Sequence, residues 1–526
     1  MSDDDFTDGA PAEGGPAEPT ESLADIRSQR LAKLDRLRQE GTTPYPYRFD
    51  RDRTLGELRA EFGELEPGEE TEVEVQVAGR VMLKREQGRL TFVTLRDRDD
   101  EVQLFVSQGV IGKEAFVAFN DLDLGDWLGV TGTVMTTRKG ELSVKVSSSV
   151  LLAKALRPLP DKWKGLSEVD TRYRQRYVDL IVNEEARATF VIRTKAVHAL
   201  RDRLRERGYL EVETPVLSLV QGGATARPFV THYNALDLDT YLRIALELPL
   251  KRLIVGGLER VFEIGRIFRN EGIDTRHNPE FTMLEAYEAF VDYTDMMALL
   301  EDLISSAAQA AIGTTTVKVR GEEISLAPPY RRATMIELIR EHTGVDVHPS
   351  MPVPQLHAIL DGLEISYDPA WGPGRLVSEI YDERIESVLM APTFVLDYPK
   401  EISPLAKPHR DDPYLVERFE LIVGGRELAN AYSELNDPVD QLARFQEEAA
   451  LKAAGDPEAG DVDLDYVRAL EYGMPPAGGM GMGIDRLTMV LAQVESIREV
   501  IFFPTLRPEV GLDESEFRVP SDADRD

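Results

Sequence analysis

The chain contains no cysteine, which excludes disulfides, thiolate-bound zinc and thiol catalysis. It also lacks any apolar run near the ~20 residues needed to cross a bilayer. The opening MSDDDF has neither the basic region nor the apolar core of a secretory signal, so a soluble, cytoplasmic protein without a membrane partner is expected. Basic residues are scarce as well, 61 Lys and Arg against 94 Asp and Glu, for a formal net charge of −33. Residues 1–22 carry seven acids and no base, and 508–526 carry seven acids and two bases, so the ends hold −12 of the total. The rest is still acidic. Such a surface keeps a protein soluble at high salt, and it obliges any nucleic-acid partner to be met by bases concentrated locally.

At 526 residues the chain is long enough for roughly two or three domains. Residues 1–22, rich in Pro, Gly, Ala and acids, are expected to be a disordered tail, and 509–526 form a second acidic tail. Residues 23–70 hold a basic helix, with Arg27, Arg30, Lys33, Arg36 and Arg38 beside Leu31, Leu34 and Leu37, then a connector after Gly41 and the PYP at 44–46. Residues 71–155 alternate apolar and polar residues in five short runs, VEVQVAGRVM, LTFVTLRD, EVQLFVS, WLGVTGTVM and LSVKVSSSV, at the spacing of a small OB-type barrel. Residues 72–150 hold ten bases and twelve acids, close to neutral in a very acidic chain, which favours an RNA face there. A hinge is expected at 156–170. Residues 171–508 mix long helices with antiparallel strand pairs in an α+β domain, with an inserted subdomain at about 310–390.

Three clusters in that domain carry chemistry. RVFEIGRIFRNE (260–271) and HNPEFTMLEAYEAF (277–290) read as two strands joined by a loop. Alternation puts Arg269 and Glu271 on one face, and Phe281, Met283, Glu285 and Tyr287 together on one face of the second strand. Such a face suits a phosphate, an aromatic ring and an ammonium better than a core. In RFELIVGGRELANAYSEL (418–435), Gly424-Gly425 makes a hairpin turn that sets Val423 opposite Arg426 and Ile422 opposite Glu427. Glu420 and Glu427 then share a face and could share a Mg²⁺ ion. Asn430, Tyr432 and Glu434 fall on the other face unless a bulge intervenes near Ala429. In GGMGMGIDRLTMVL (478–491), alternating glycines allow close approach to a ligand, and Asp485-Arg486 opens an apolar helix from which Arg486 can reach a terminal phosphate.

Together these stretches resemble the class II aminoacyl-tRNA synthetases. RGYLEVETPVL (207–217) resembles motif 1, FRNEG (268–272) with HNPEF motif 2, and GMGIDRL (481–487) motif 3, in the family's order. More narrowly, residues 220–257, GGRELANAYSELND (424–437), the PYP after a basic helix and LRPLPDKW…RYRQRYVDL (156–180) look like lysyl-tRNA synthetases. The likeness covers about residues 22–508. It implies an OB-fold anticodon-binding barrel followed by a catalytic domain on an antiparallel sheet with flanking helices. It also implies ATP-dependent loading of lysine onto tRNA(Lys), with Mg²⁺, by a homodimer formed through motif 1.

Residue by residue, the resemblance puts Arg269 at the α-phosphate, Arg486 at the γ-phosphate, Glu271 and His277 near the nucleotide and Phe281 against adenine. Glu420 and Glu427 would bind Mg²⁺. Gly223 and Glu247 would receive the α-amino group of lysine. Glu285, Tyr287 and Glu434 would surround its side-chain ammonium, with Asn430 beside its carboxylate. Arg80, Phe92 and Gln103 would meet the anticodon. Val197, Leu200 and Leu204 on the helix before motif 1 suit an interface or an internal core equally. ALEL at 245–248 departs from the APEL of some members but keeps the Glu. The rival readings are an aspartyl or asparaginyl enzyme, a non-catalytic RNA-binding relative, and a paralogue that lysylates something else. An acidic pocket argues against the first, because a substrate carboxylate would be repelled there.

Overall fold

The computed structural model describes residues 22–160, 168–223, 226–453 and 460–508. The tails expected at 1–22 and 509–526, apart from Ser22, lie outside the described residues, as do 161–167 of the expected hinge. The chain divides into two units, residues 1–165 with 508–526, and residues 166–507.

In the first unit, β1 (Glu70–Gln87), β2 (Leu90–Arg96), β3 (Glu101–Ser107), β4 (Trp127–Thr136) and β5 (Leu142–Ala153) close into a barrel in the order β1-β2-β3-β5-β4. Period-two alternation turns Val75, Val77, Val93, Leu95, Val102, Leu104, Val130 and Val144 inward, all buried. Helix α1 (Leu23–Gln39) starts at a capping box made by Ser22 and Asp25, and α2 (Leu55–Phe62) sends Leu55 and Leu58 into the barrel core. The bases of α1 are largely used within this unit. Lys33 Nζ donates to the Asp123 carboxylate at 2.9 Å, Arg30 Nη1 donates to the carbonyls of Ala155 and Arg157 at 3.1 and 3.0 Å, and Arg36 pairs with Asp121. Its positive stripe docks the helix.

The second unit is built on an eight-stranded sheet. Its strands are β6 (Leu210–Glu211), β7 (Arg260–Phe268), β8 (Glu280–Ala289), β9 (Arg331–Thr334), β10 (Thr393–Leu396), β11 (Arg418–Ile422), β12 (Glu427–Ser433) and β13 (Ala477–Gly483). Their spatial order is β9-β10-β11-β12-β13-β8-β7-β6, antiparallel except for the outermost pair at each edge. One face is covered by α3 (Glu184–Glu206), α5 (Tyr293–Ile312) and α7 (Ile484–Ala492). Helix α5 presents Met296, Leu299, Leu300, Leu303, Ile304 and Ala307 at helical spacing to Phe262, Leu284, Ala286, Phe419, Leu421, Met480 and Met482 of the sheet. Two further helices, α4 (Glu247–Val255) and α6 (Pro438–Ala453), contribute to the opposite side.

The packing bears on two of these readings. Within the stretch expected as an inserted subdomain, about 310–390, the helices bury a hydrophobic cluster distinct from the main core. β9 hydrogen-bonds to β10 at the sheet edge, and Leu338, Leu356, Leu376 and Ile380 cluster with Val395 and Ile422 of that sheet and with Val416 just before β11. Leu200 and Leu204 have no exposure and Val197 packs against them, so this stripe of α3 belongs to the internal core and not to an interface.

Candidate active site and nucleic-acid face

The pocket follows from strand parity. On β8, Leu284 and Ala286 enter the core, so Phe281, Met283, Glu285 and Tyr287 point to the opposite face. On neighbouring β13, Met480 and Met482 enter the core, so Gly479, Gly481 and Gly483 face the same way as Glu285. These glycines leave bare backbone as a floor. A Cβ on Gly479 would lie 2.0 Å from Glu434 Oε1 and 2.4 Å from the Tyr287 ring, so no larger residue fits.

Across the floor, Gly481 pairs with Asn430, Gly479 with Tyr432, Asn430 with Glu420 and Tyr432 with Arg418. The register slips beside Ala429: Ile422 pairs with Glu427, while Leu421 pairs with Ala429. That is the bulge the hairpin needed, and it brings Asn430 and Tyr432 to the face of Glu420. The result is a cavity of about 520 Å³ lined by glycine backbone, carboxylates, arginines and aromatics.

At one end, Arg269 lies just beyond β7, its N–H donating to Pro279 O at 2.8 Å and its guanidinium 5.3 Å from the Phe281 ring centre. Arg269 and Glu271 therefore belong to the loop after the strand, and simple alternation does not apply to them; Glu271 is exposed at the rim. His277 sits on the same loop with Nδ1 2.9 Å from the Asp274 carboxylate. Against the push of partial burial, hydrogen bonds from His277 and the N–H groups of Arg276 and His277 hold Asp274 down at about 2. Arg486 donates to the Glu427 carbonyl at 2.6 Å and to its carboxylate at 3.1 Å. Burial and the nearby Glu427 charge push Glu420 up to about 7, although Arg418 donates to it at 2.7 Å. Two carboxylates that repel each other beside a phosphate-sized space fit a divalent cation. Among the described residues no third Asp, Glu or His completes a protein-only cage, so phosphate oxygens would supply the remaining ligands.

At the other end, Glu285 accepts the Leu246 N–H and the Tyr287 hydroxyl, each at 3.0 Å. Burial first, and then the Glu247 charge, raise it to about 7. Gly223, Ala245 and Glu247 line the adjoining wall, and Tyr432 donates its hydroxyl to Glu247 at 2.5 Å. Glu434 stands deeper than expected. It is buried behind the lining and ion-paired with Lys251, which also pairs with Glu247 and lies 5.1 Å from the Tyr432 ring centre. Burial opposes the Lys251 charge, yet Glu247 and Glu434 together raise its pKa and hold it protonated. Residue types in sequence did not single out Lys251, Arg418 or Glu448. Lys251 does lie four residues after Glu247 on α4, the spacing of a helical ion pair. Glu448 on α6 also lines the cavity, raised to about 7 by burial and by Glu247.

On the barrel, Phe92 is on the outer face, packed edge-on against Phe105 with ring centres 5.6 Å apart. Its cross-strand neighbours continue the row, Arg85 on one side and Lys145 beyond Phe105 on the other. Gln103 donates to Ser143 Oγ at 3.0 Å beside this row. Arg80 lies near β4, donating to Gly125 O at 2.8 Å and stacked 5.0 Å from the Trp127 ring centre. Aromatic rings flanked by bases on an exposed sheet suit unstacked bases and phosphates.

A glycine-floored, arginine-lined pocket on an antiparallel sheet, with a separate OB-type barrel, defines a class II synthetase architecture. The family model described as "tRNA synthetases class II (D, K and N)" matches residues 168–507, and that described as "OB-fold nucleic acid binding domain" matches 75–152. Among curated relatives, the chain is 52% identical over 497 residues to a lysine–tRNA ligase of Nostoc sp., covering 93% of this chain and 89% of that one. It is 51% identical over 491 residues to a lysine–tRNA ligase of Moorella thermoacetica, covering 93% and 99%. The chain belongs to the lysine–tRNA ligase family of class II synthetases.

Lys251→Met leaves Glu247 and Glu434 buried without their countercharge. The expected loss is about 3–5 kcal/mol of stability for the 166–507 unit, read as a lower denaturant midpoint, with Lys251→Arg losing less.

Proposed function

We propose that the protein activates L-lysine with ATP and transfers it to the 3′-terminal ribose of tRNA(Lys). The observation that carries this is the pairing, in one cavity, of Arg269, Phe281 and Arg486 at one end with Glu285, Tyr287 and Glu247 at the other. The lysine carboxylate oxygen attacks the α-phosphorus in line. A C–O–P anhydride forms, the α–β bridging bond breaks, and pyrophosphate leaves with the electron pair. The ribose hydroxyl then attacks the carbonyl carbon of the adenylate, and AMP leaves.

In this reading Arg269 holds the α-phosphate, Arg486 and His277 the outer phosphates, and Phe281 stacks on adenine with Glu271 at its edge. Glu420 and Glu427 would hold Mg²⁺, which when bound supplies positive charge to neutralise the phosphates. Asn430 and Arg418 lie beside the lysine carboxylate, Gly223 and Glu247 receive the α-amino group, and Glu285 with Tyr287 receives the ε-ammonium. Glu434 acts from behind, through its charge and through Lys251. Positioning and charge neutralisation supply the rate, with no general base required.

An aspartyl specificity is disfavoured because the inner end presents Glu285 and Glu247 where a cation is needed to meet a carboxylate. The outer barrel face around Phe92, Gln103 and Arg80 reads the anticodon. A homodimer through motif 1 is supported by the exposed Leu210, Val216, Leu217 and Leu219 around that segment. Among the described residues no helix is long and apolar enough to cross a membrane.

Lysine-dependent ATP–pyrophosphate exchange, run against all twenty amino acids, is the direct test, and exchange with aspartate or asparagine would overturn the assignment of Glu285. Arg269→Ala is expected to slow adenylate formation by about 10²–10³-fold in single-turnover assays. Glu285 attracts the substrate ammonium only when ionised, and its pKa is raised to about 7. KM for lysine should therefore rise about tenfold as pH falls from 8 to 6, and Glu285→Gln should abolish this dependence. Phe92→Ala is expected to raise KM for tRNA about tenfold or more while leaving exchange unchanged.

A further inference from the structure

Beside the nucleotide end of the pocket lies a second cavity of about 190 Å³. Lys318, Arg320, Arg426 and Arg486 line it, against the carboxylates of Glu427 and Glu495. In a chain of net charge −33, four bases against two acids make this a locally positive space. Glu427, Leu428 and Arg486 line both cavities, so the Glu427–Arg486 ion pair is the partition between them.

The Gly424-Gly425 turn builds this side. Both glycines have positive φ, +63° and +70°, and a Cβ on Gly425 would lie 2.9 Å from Arg320 Nη1. The Ser387 carbonyl lies closer still, 2.5 Å from such a Cβ, so the turn has no room for a side chain there. Arg426, the next residue, is weakly held. Its Nη1 donates to the Glu495 carbonyl at 3.3 Å and Nη2 to the Glu495 carboxylate at 3.4 Å, while its buried Nε has no partner among the described residues. Arg320 makes a 3.3 Å bond to the Ser387 carbonyl, and Lys318 and Arg320 are exposed at the mouth. Donor capacity therefore remains for a polyanion.

We propose that this cavity is an exit site for the pyrophosphate released on adenylate formation, with Arg426 and Arg320 receiving it beyond the Glu427–Arg486 partition. The proposal rests on the ATP-dependent reading above. The outer phosphates of intact ATP share the same chemistry, but they are tethered to an adenosine held at Phe281, on the first side of the partition. Free diphosphate carries no tether.

The test uses the full-length Arg426→Met and Arg320→Met proteins, with Arg426→Lys as the charge-retaining variant. KM for pyrophosphate is measured in ATP synthesis from enzyme-bound lysyl-adenylate, and KM for ATP in the forward direction. The expected result is a rise of about tenfold in KM for pyrophosphate in both Met variants, partly restored by Lys, with KM for ATP unchanged. An unchanged pyrophosphate KM would overturn the proposal. So would an equal rise in both constants, which would assign these arginines to the nucleotide tail. If the unmutated protein shows no lysine-dependent exchange, the functional reading fails and the cavity is still tested by calorimetric titration of inorganic pyrophosphate. Loss of that binding in Arg426→Met supports the site, and equal binding in both proteins overturns it.

Discussion

The strand β13 carries no side chain on its pocket face, and the site depends on that. Met480 and Met482 anchor it to the core, while Gly479, Gly481 and Gly483 leave the middle of a wide sheet uncovered between β8 and β12. Side chains from those neighbours can then face each other across bare backbone. Glu285 and Tyr287 stand on one side, Asn430 and Tyr432 on the other, with Glu420 and Arg418 one strand further. A single Cβ at Gly479 would collide with Glu434 and Tyr287, so pocket and strand packing share one constraint.

Charge is the second constraint. Glu247, Glu285, Glu434 and Glu448 crowd the inner end, and burial pushes the carboxyls of Glu285, Glu434 and Glu448 up. Lys251, buried between Glu247 and Glu434, offsets part of that cost from inside the protein. The pocket is therefore less acidic than a count of its glutamates implies. Its demand for a cation is focused at Glu285, whose donors, Leu246 N–H and the Tyr287 hydroxyl, fix the carboxylate in place. The nucleotide end has the complementary character, with Arg269 and Arg486 facing the carboxylate pair that a divalent cation would join.

Much of this was legible from residue order. Five alternating runs marked the barrel, and the Gly-Gly turn set the pairing of Ile422 with Glu427. Local patterns of that kind are dictated by side-chain period and turn chemistry. Less legible were residues whose role comes from a neighbour distant in sequence. The edge of the sheet was one such case, because β9 finds its partner, β10, some sixty residues later. Arg269 and Glu271 looked like strand residues because composition does not show where pairing with β8 stops.

By itself the sequence determined the two-part architecture, the family, the parity of β8, and the residue types available for ATP and for an ammonium. These follow from periodicities and motifs spanning a few residues. Only the tertiary structure decided that the bulge beside Ala429 turns Asn430 and Tyr432 to the side of Glu420, that Glu434 lies behind the wall with Lys251, and that Arg320 and Arg426 share a cavity. Each depends on strands or loops that meet through long-range packing, where one residue of register moves a side chain to the opposite face.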